Sequence, residues 1–398
     1  MRISALFMLS YLSTGVAFSQ AILGTVTDAS SGQPIEYASV FFANTLKGTV
    51  TDADGRFSLP GIEGGKYDLT VSFVGYKTFT QAIVINRNQA QHLNIALQVE
   101  VMSLPEVFIT ADTTHWQNNF QVFKEHFLGT TPGSEMCSIQ NPKVLYFYFD
   151  HQEKVLYAHA REPLKIRNDW LGYLLVYDMQ SFKVDLKLGK LAFYGVPKFS
   201  YLEPKTRSTA KRWRRNRQLA YQGSLLHFFR SLNNARLQGE QYEVRELWRV
   251  PNLERPPSQI LDMKISLFKK KIKETPGHTL SLSGNLSDSL RFYLDLKRQP
   301  EFIDSLGIKY SSGQELANNG KVNYKGILQV TFFGAKEHKN YPFRSGFGPS
   351  YQQSKLYLDD HLKIYDNGYF EDVRSMYVEG YWNWTGKIAS ILPLDYQP

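Results

Sequence analysis

The chain has 398 residues, 42% of them hydrophobic, a formal net charge of +9 and a single cysteine, Cys137. That length suits two domains with real cores, the lone thiol excludes an intrachain disulfide, and beyond the leader no stretch approaches the roughly 18 uninterrupted apolar residues of a transmembrane helix. Nine Lys or Arg residues and no acid fall between Lys205 and Gly239, a local excess equal to the whole net charge, which argues against a general polyanion binder and against nucleic acid as a partner of an exported chain.

Residues 1–19 read as a signal peptide: Arg2, an apolar run from Ile3 to Leu12, then small residues at Ala17 and Ser19. No cysteine follows the run to take a lipid, so the mature chain is expected to be soluble in the envelope. Its expected location is the periplasm or the outer membrane's periphery in a Gram-negative bacterium.

Residues 20–99 alternate short β-rich runs with turn signals at Ser30-Ser31-Gly32-Gln33-Pro34, Asp52-Ala53-Asp54-Gly55 and Glu63-Gly64-Gly65-Lys66. The runs Tyr37 to Ala43, Gly48 to Thr51, Arg56 to Leu59, Tyr67 to Val74, Thr78 to Ile85 and His92 to Leu97 predict a β-sandwich of about seven strands. Asp52 and Asp54 lack the further ligands of a calcium loop and are expected in a plain hairpin turn. A linker over 100–113 leads to a second domain over 114–398.

In that domain Trp116, Phe120, Phe123 and Phe127 fall on one side of a helix, ended at Gly129 to Gly133. Val144 to Phe149 reads as a buried central strand, and Lys154 to Ile166 and Leu171 to Tyr177 continue the sheet. Met263, Ile265 and Leu267 alternate with Lys264 and Ser266, and Leu290, Phe292, Leu294 and Leu296 with Arg291, Tyr293, Asp295 and Lys297, which predicts two further strands. Val322 to Phe333 and Leu356 to Ile364 add more. The predicted fold class is mainly β: a sandwich followed by an α+β domain with a large antiparallel sheet, or a strongly bent one, and a few helices.

The basic segment predicts two helices divided near Gly223. Arg207, Lys211, Arg214 and Arg215 form a cationic stripe on the first, with Ala210, Trp213 and Ala220 on another side. On the second, Leu225, Phe229 and Leu232 oppose His227, Arg230, Ser231 and Asn234, and the pair is expected to lie on the sheet with its charges outward. The stripe is a candidate docking site for an envelope protein or an anionic glycan or lipid surface. Tyr377, Tyr381, Trp382 and Trp384 are either a second contact surface or the core of a final helix.

The series Gly24-Thr25-Val26-Thr27-Asp28, Gly32-Gln33-Pro34-Ile35, Gly48 through Phe57 and Val74-Gly75-Tyr76 resembles the carboxypeptidase regulatory-like domain. The resemblance implies a transthyretin-like fold and a spacer or interaction module without chemistry of its own. Leu104 through Ala111 is similar to the segment that follows this domain in TonB-dependent receptors, although the length leaves no room for a plug and a barrel of about 22 strands. Further segments, among them Arg212-Trp213, Asn216-Arg217, Ala220 through Leu225 and Gly380-Tyr381-Trp382, resemble bacterial proteins described only as containing that regulatory-like domain. They imply an architecture and no activity.

No constellation for catalysis is complete. His159-Ala160-Arg161-Glu162 with His278 mimics a zinc set but sits in strand and turn, Gly223-Ser224-Leu225-Leu226 lacks the nucleophile elbow and Ser224 reads as a helix cap, and Gly346-Phe347-Gly348 lacks a third glycine. Cys137 is expected to be an inert thiol. The expectation is therefore a non-enzymatic envelope binding or assembly protein with no cofactor, no bound metal and no catalytic residue. The alternatives are an envelope hydrolase, metal-dependent or glycan-acting, and an outer-membrane β-barrel.

Overall fold

The computed structural model describes residues 21–60, 63–85, 91–100, 115–274, 280–310, 312–344, 350–371 and 375–398. The expected leader, most of the expected linker, His278 and the Gly346–Gly348 segment lie outside the described residues.

The turn-punctuated first region forms seven strands: β1 (Ala21–Asp28), β2 (Ser39–Phe42), β3 (Gly48–Val50), β4 (Arg56–Pro60), β5 (Gly65–Ser72), β6 (Phe79–Ile85) and β7 (Gln91–Leu97). They make two facing sheets, in the orders β4-β1-β7 and β3-β2-β5-β6. β1 runs antiparallel to β4 and parallel to β7, and Val26, Val40, Leu69 and Val71, each fully buried, fill the space between the sheets. The Asp52–Gly55 turn is present, closed by Gly55 N–H donating to Asp52 O at 2.9 Å and by Arg56 N–H on Asp52 Oδ1 at 2.8 Å. It is not a hairpin, however, because β3 and β4 belong to opposite sheets and the turn carries the chain across the sandwich.

Two motif segments far apart in sequence meet at one carboxylate. Ser30 Oγ donates to Asp28 Oδ1 at 2.5 Å, Ser31 N–H to the same oxygen at 2.7 Å, and Tyr76 OH to Oδ2 at 2.7 Å. These donors hold the Asp28 carboxyl below the ordinary carboxylate range. The Val74-Gly75-Tyr76 turn is thereby tied to the end of β1.

The predicted aromatic helix is α1 (Trp116–Phe127), with Phe123 and Phe127 wholly buried. It covers a sheet of β8 (Cys137–Ile139), β9 (Leu145–Asp150), β10 (Val155–Ala160), β11 (Leu164–Asn168), β12 (Tyr173–Asp185) and β13 (Lys190–Tyr201). β12 is the spine: β13 pairs along one edge, while β11 and β10 share the other edge end to end. β9, expected as a central strand, lies outside β10 at the margin. Leu145 and Phe147 point inward, whereas Tyr146 turns out to accept from Arg161 at 2.9 Å, so the run is two-faced despite its apolar composition.

After α2 (Arg207–Tyr221) and α3 (Leu225–Asn233) comes β14 (Tyr242–Pro251), then α4 (Ser258–Glu274), α5 (Leu280–Arg298) and β15 (Phe302–Tyr310). The two alternating runs expected as strands are thus helices. In α4 the buried or half-buried apolar side chains are Leu261, Ile265, Phe268 and Ile272, a helical spacing, while Met263 is 60% exposed. Short alternation satisfied both periods, and the helix formers Lys and Leu, with a partner helix to cover the seam, decide between them.

α6 (Gly313–Leu316), β16 (Ala317–Asn318), β17 (Lys321–Val322), β18 (Gly326–Lys336), β19 (Tyr351–Leu358), β20 (Leu362–Lys363), β21 (Met376–Gly380) and α7 (Tyr381–Thr385) complete the chain. The expected antiparallel sheet is therefore two: the one built on β12, and a five-stranded sheet in the order β15-β14-β18-β19-β21 covered by α3, with a small β16-β17-β20 ribbon beside it. The pairings among the described residues leave both large sheets open, and they close no barrel. No helix among the described residues is long and apolar enough to cross a membrane.

The sandwich is fastened to the larger part. Its Asn44–Lys47 loop lies between β13 and the final segment: Asn44 N–H donates to Pro197 O at 2.8 Å, Leu394 N–H to Asn44 O at 2.6 Å, and Leu46 N–H to the Asp395 carboxylate at 3.1 Å. On β5 Lys66 pairs with Glu371 at 2.5 Å, Asn367 Nδ2 donates to Lys66 O at 2.8 Å, and Tyr369 OH donates to Asp68 at 3.1 Å.

Candidate functional site

α2 begins where Thr206 caps it, its Oγ1 accepting from Thr209 N–H at 3.1 Å. One side of the helix grips the turn before β12: Trp213 Nε1 donates to Asp169 O at 2.8 Å, Asn216 Nδ2 to Trp170 O at 2.8 Å, and Arg217 Nε to Leu171 O at 2.7 Å. Arg217 also lies over the rings of Tyr173 and Tyr201, at 4.4 and 4.8 Å from their centroids. Gly172 in that turn has φ +74°, and a Cβ there would sit 2.3 Å from the Trp213 ring. The helix is therefore locked in rotation.

That lock turns Arg207, Lys211, Arg214 and Arg215 to solvent, each exposed and, among the described residues, without an ion-pair partner. The spacing of four and three to four residues puts them on one ridge. The cationic stripe anticipated from the sequence is present as a fixed surface.

α3 departs from expectation. Ser224 caps it, accepting from His227 N–H at 3.1 Å, but of its polar stripe His227 and Ser231 are buried and Arg230 half-buried, and only Asn234 is exposed. Arg230 spends its guanidinium on three carbonyls, Asn367 O, Tyr396 O and Leu394 O, at 3.1, 2.9 and 2.7 Å. His227 is buried: Gly223 N–H donates to Nδ1 at 3.2 Å, which leaves Nε2 as the protonated nitrogen facing Glu240 at 3.3 Å. Burial pushes the His227 pKa down, against the pull of Glu240. A cavity of about 240 Å³ opens beside it, lined by Gln218, Tyr221, Glu240, Phe332 and Pro398.

Of the aromatic candidates, Tyr381, Trp382 and Trp384 are buried at 8, 4 and 8% exposure, so they are core and not a contact surface. Trp382 Nε1 donates to Gly223 O at 2.7 Å and Trp384 Nε1 to Thr130 Oγ1 at 3.1 Å. Their polar edges are thus used inside the molecule. Tyr377 alone of the four is 40% exposed, its ring tilted against Tyr357 with centroids 5.5 Å apart.

His159 sits half-buried on β10, opposite Tyr146, and Glu162 is exposed in the following turn. Among the described residues no group of three or more His, Cys, Asp or Glu side chains is placed to hold a metal ion. Cys137 is buried, and desolvation pushes its thiol up to about 12. Sequence reasoning missed Arg217 and Arg230 as internal clamps, since neither is distinguishable from a surface cation by spacing.

Residues 22–109 match the CarboxypepD_reg-like domain family. Over 139 residues the chain is 30% identical to the TonB-dependent transporter Oar of Myxococcus xanthus, a match covering 32% of this chain and 13% of that protein's length. Among solved structures, 5-hydroxyisourate hydrolase of Klebsiella pneumoniae is 23% identical over 21% of this chain and 94% of its own, with a TM-score of 0.18. A chain of a type II cohesin–X-dockerin complex from Acetivibrio cellulolyticus is 22% identical over 21% of this chain and 61% of its own, with a TM-score of 0.19.

Proposed function

We propose that this chain is a non-enzymatic, envelope-associated binding protein in which the sandwich and the larger part act as one unit, and in which the outer ridge of α2 docks on an acidic partner. The observation that carries the reading is the ridge itself: Arg207, Lys211, Arg214 and Arg215 are exposed and unpaired among the described residues, on a helix whose other side is pinned by Trp213, Asn216 and Arg217. A pinned cationic ridge steers an anionic surface into one orientation at little ordering cost.

The envelope location is supported by the domain match over residues 22–109 and the likeness to a TonB-dependent transporter. The non-catalytic reading is supported by how the interior polar groups are used: Arg217 and Arg230 bind carbonyls, and Ser224 caps a helix. Arg207→Glu, Lys211→Glu, Arg214→Glu and Arg215→Glu together should lower in-cell crosslinking to the chain's neighbours and retention by the envelope fraction by about tenfold at physiological salt. Reversing the exposed Lys143, Lys154, Lys187 and Lys190 should change neither. Equal losses in both variants would reduce the ridge to nonspecific charge.

A further inference from the structure

The exposed large apolar side chains of this protein concentrate in residues 248–308, on the α4–α5 hairpin and the ribbon that carries it. β14 and β15 pair with each other up to Pro251 and Phe302, so the helices between them leave and return at one end of the ribbon. α4 and α5 pack chiefly on one another, with Phe268 stacked on Tyr293 at 5.5 Å and Asp262 paired with Lys297. A helix of 17 residues extends about 25 Å. The hairpin is thus an arm on a two-stranded root.

Its seam accounts for Leu261, Ile265 and Phe268. It does not account for Ile260, Met263 and Leu267, which form a second stripe on α4 and are 44, 60 and 42% exposed. On the root, Val250 and Ile303 are direct cross-strand partners, 46 and 48% exposed, and Trp248, on the same face, is 55% exposed. An apolar helical ridge and an apolar ribbon face with a tryptophan are what a water-facing surface ordinarily avoids.

Charge selects the occupant. α4 carries Lys264, Lys269, Lys270, Lys271 and Lys273 against Asp262 and Glu274, and the lysines crowd toward the far end of the helix. Lysine stems can lie along an apolar stripe while their ammonium groups reach outward to phosphates. Exposed aliphatic residues flanked by lysines, on a convex helical ridge, match an acyl–headgroup boundary better than a protein surface.

We infer that the α4–α5 arm seats on the surface of an anionic phospholipid bilayer, with Ile260, Met263 and Leu267 entering the headgroup–acyl boundary and Lys264, Lys270 and Lys271, which flank that stripe around the helix, binding phosphates. This surface is distinct from the α2 ridge. The test uses the full chain without its leader and sedimentation with vesicles containing phosphatidylglycerol, with phosphatidylcholine vesicles as the neutral comparison. Wild type should bind the anionic vesicles and leave the neutral ones. Met263→Asp with Leu267→Asp, and separately Lys270→Glu with Lys271→Glu, should each weaken binding by about tenfold or more, while the α2 quadruple reversal leaves it intact. Hydrogen exchange over residues 258–274 of the unaltered chain should slow when anionic vesicles are added, a readout that needs no variant to fold. Absence of vesicle binding, binding unchanged in both arm variants, loss only with the α2 reversal, or a dimer dispersed by Met263→Asp would each overturn the inference.

Discussion

His227 shows how one side chain's setting becomes a property of the fold. Its ring is enclosed by Tyr221, Tyr242 and Phe332, with Glu240 on Nε2 and Arg230 nearby. Burial lowers its pKa below the ordinary 6.5 and outweighs the opposing pull of Glu240. As pH falls through about 6.5 the unfolded chain takes up a proton that the folded chain resists, so the stabilisation present above that value is progressively lost on acidification. The unfolding midpoint should therefore drop between about pH 7 and pH 5, and His227→Gln should flatten that part of the profile. None of this was legible from the sequence, where His227 fell with Arg230 on a polar stripe assigned to solvent. A stripe's chemistry gives its polarity, but carbonyls arriving from residues 367, 394 and 396 decide that Arg230 faces in. The α2 ridge was legible because its opposite side carries Trp213, whose bulk fixes the rotation without help from distant residues.

Elements were legible where length and period agreed. α1, α2 and α3 stand where their stripes placed them, and Gly223 separates the last two with φ +76°. A Cβ at that position would lie 2.3 Å from Gln352 Oε1 and 2.7 Å from the Phe332 ring, and the Gly223 carbonyl receives the Trp382 indole. Gly223→Ala combines left-handed strain with a clash in a packed corner, and should cost about 2–4 kcal/mol by chemical denaturation. A value under about 0.5 kcal/mol would mean that the corner relaxes freely. α4 and α5 were illegible for a different reason. Their apolar residues recur at two and at three to four positions at once, and only the neighbouring helix, supplied by a hairpin not evident in either segment alone, removes the degeneracy.

At the scale of the molecule, the sandwich was expected as a spacer on a linker, and its strands were legible from turn chemistry. Its anchorage was not, because the contacts join positions far apart in sequence, from Asn44 with Pro197 to Lys66 with Glu371 and Leu46 with Asp395. Asp395 carries part of this joint, its carboxylate accepting the Leu46 N–H, and burial raises its pKa from the ordinary value. Lys66→Ala with Asp395→Ala should split a single calorimetric unfolding transition into two, and should speed proteolysis between residues 100 and 115. A single transition at the wild-type temperature would show that the remaining contacts suffice.

The Asn44–Lys47 loop lies between β13 and residues 394 and 395. For a chain synthesised from its N-terminus, the strands around that loop emerge early, but their last hydrogen-bonding companions emerge late. Until then the loop's Leu46 amide and Asn44 carbonyl can be served only by water. Completion of the fold must accordingly wait for residues 394 and 395, and a nascent chain stalled before residue 394 would present a finished β-fold with an open seat.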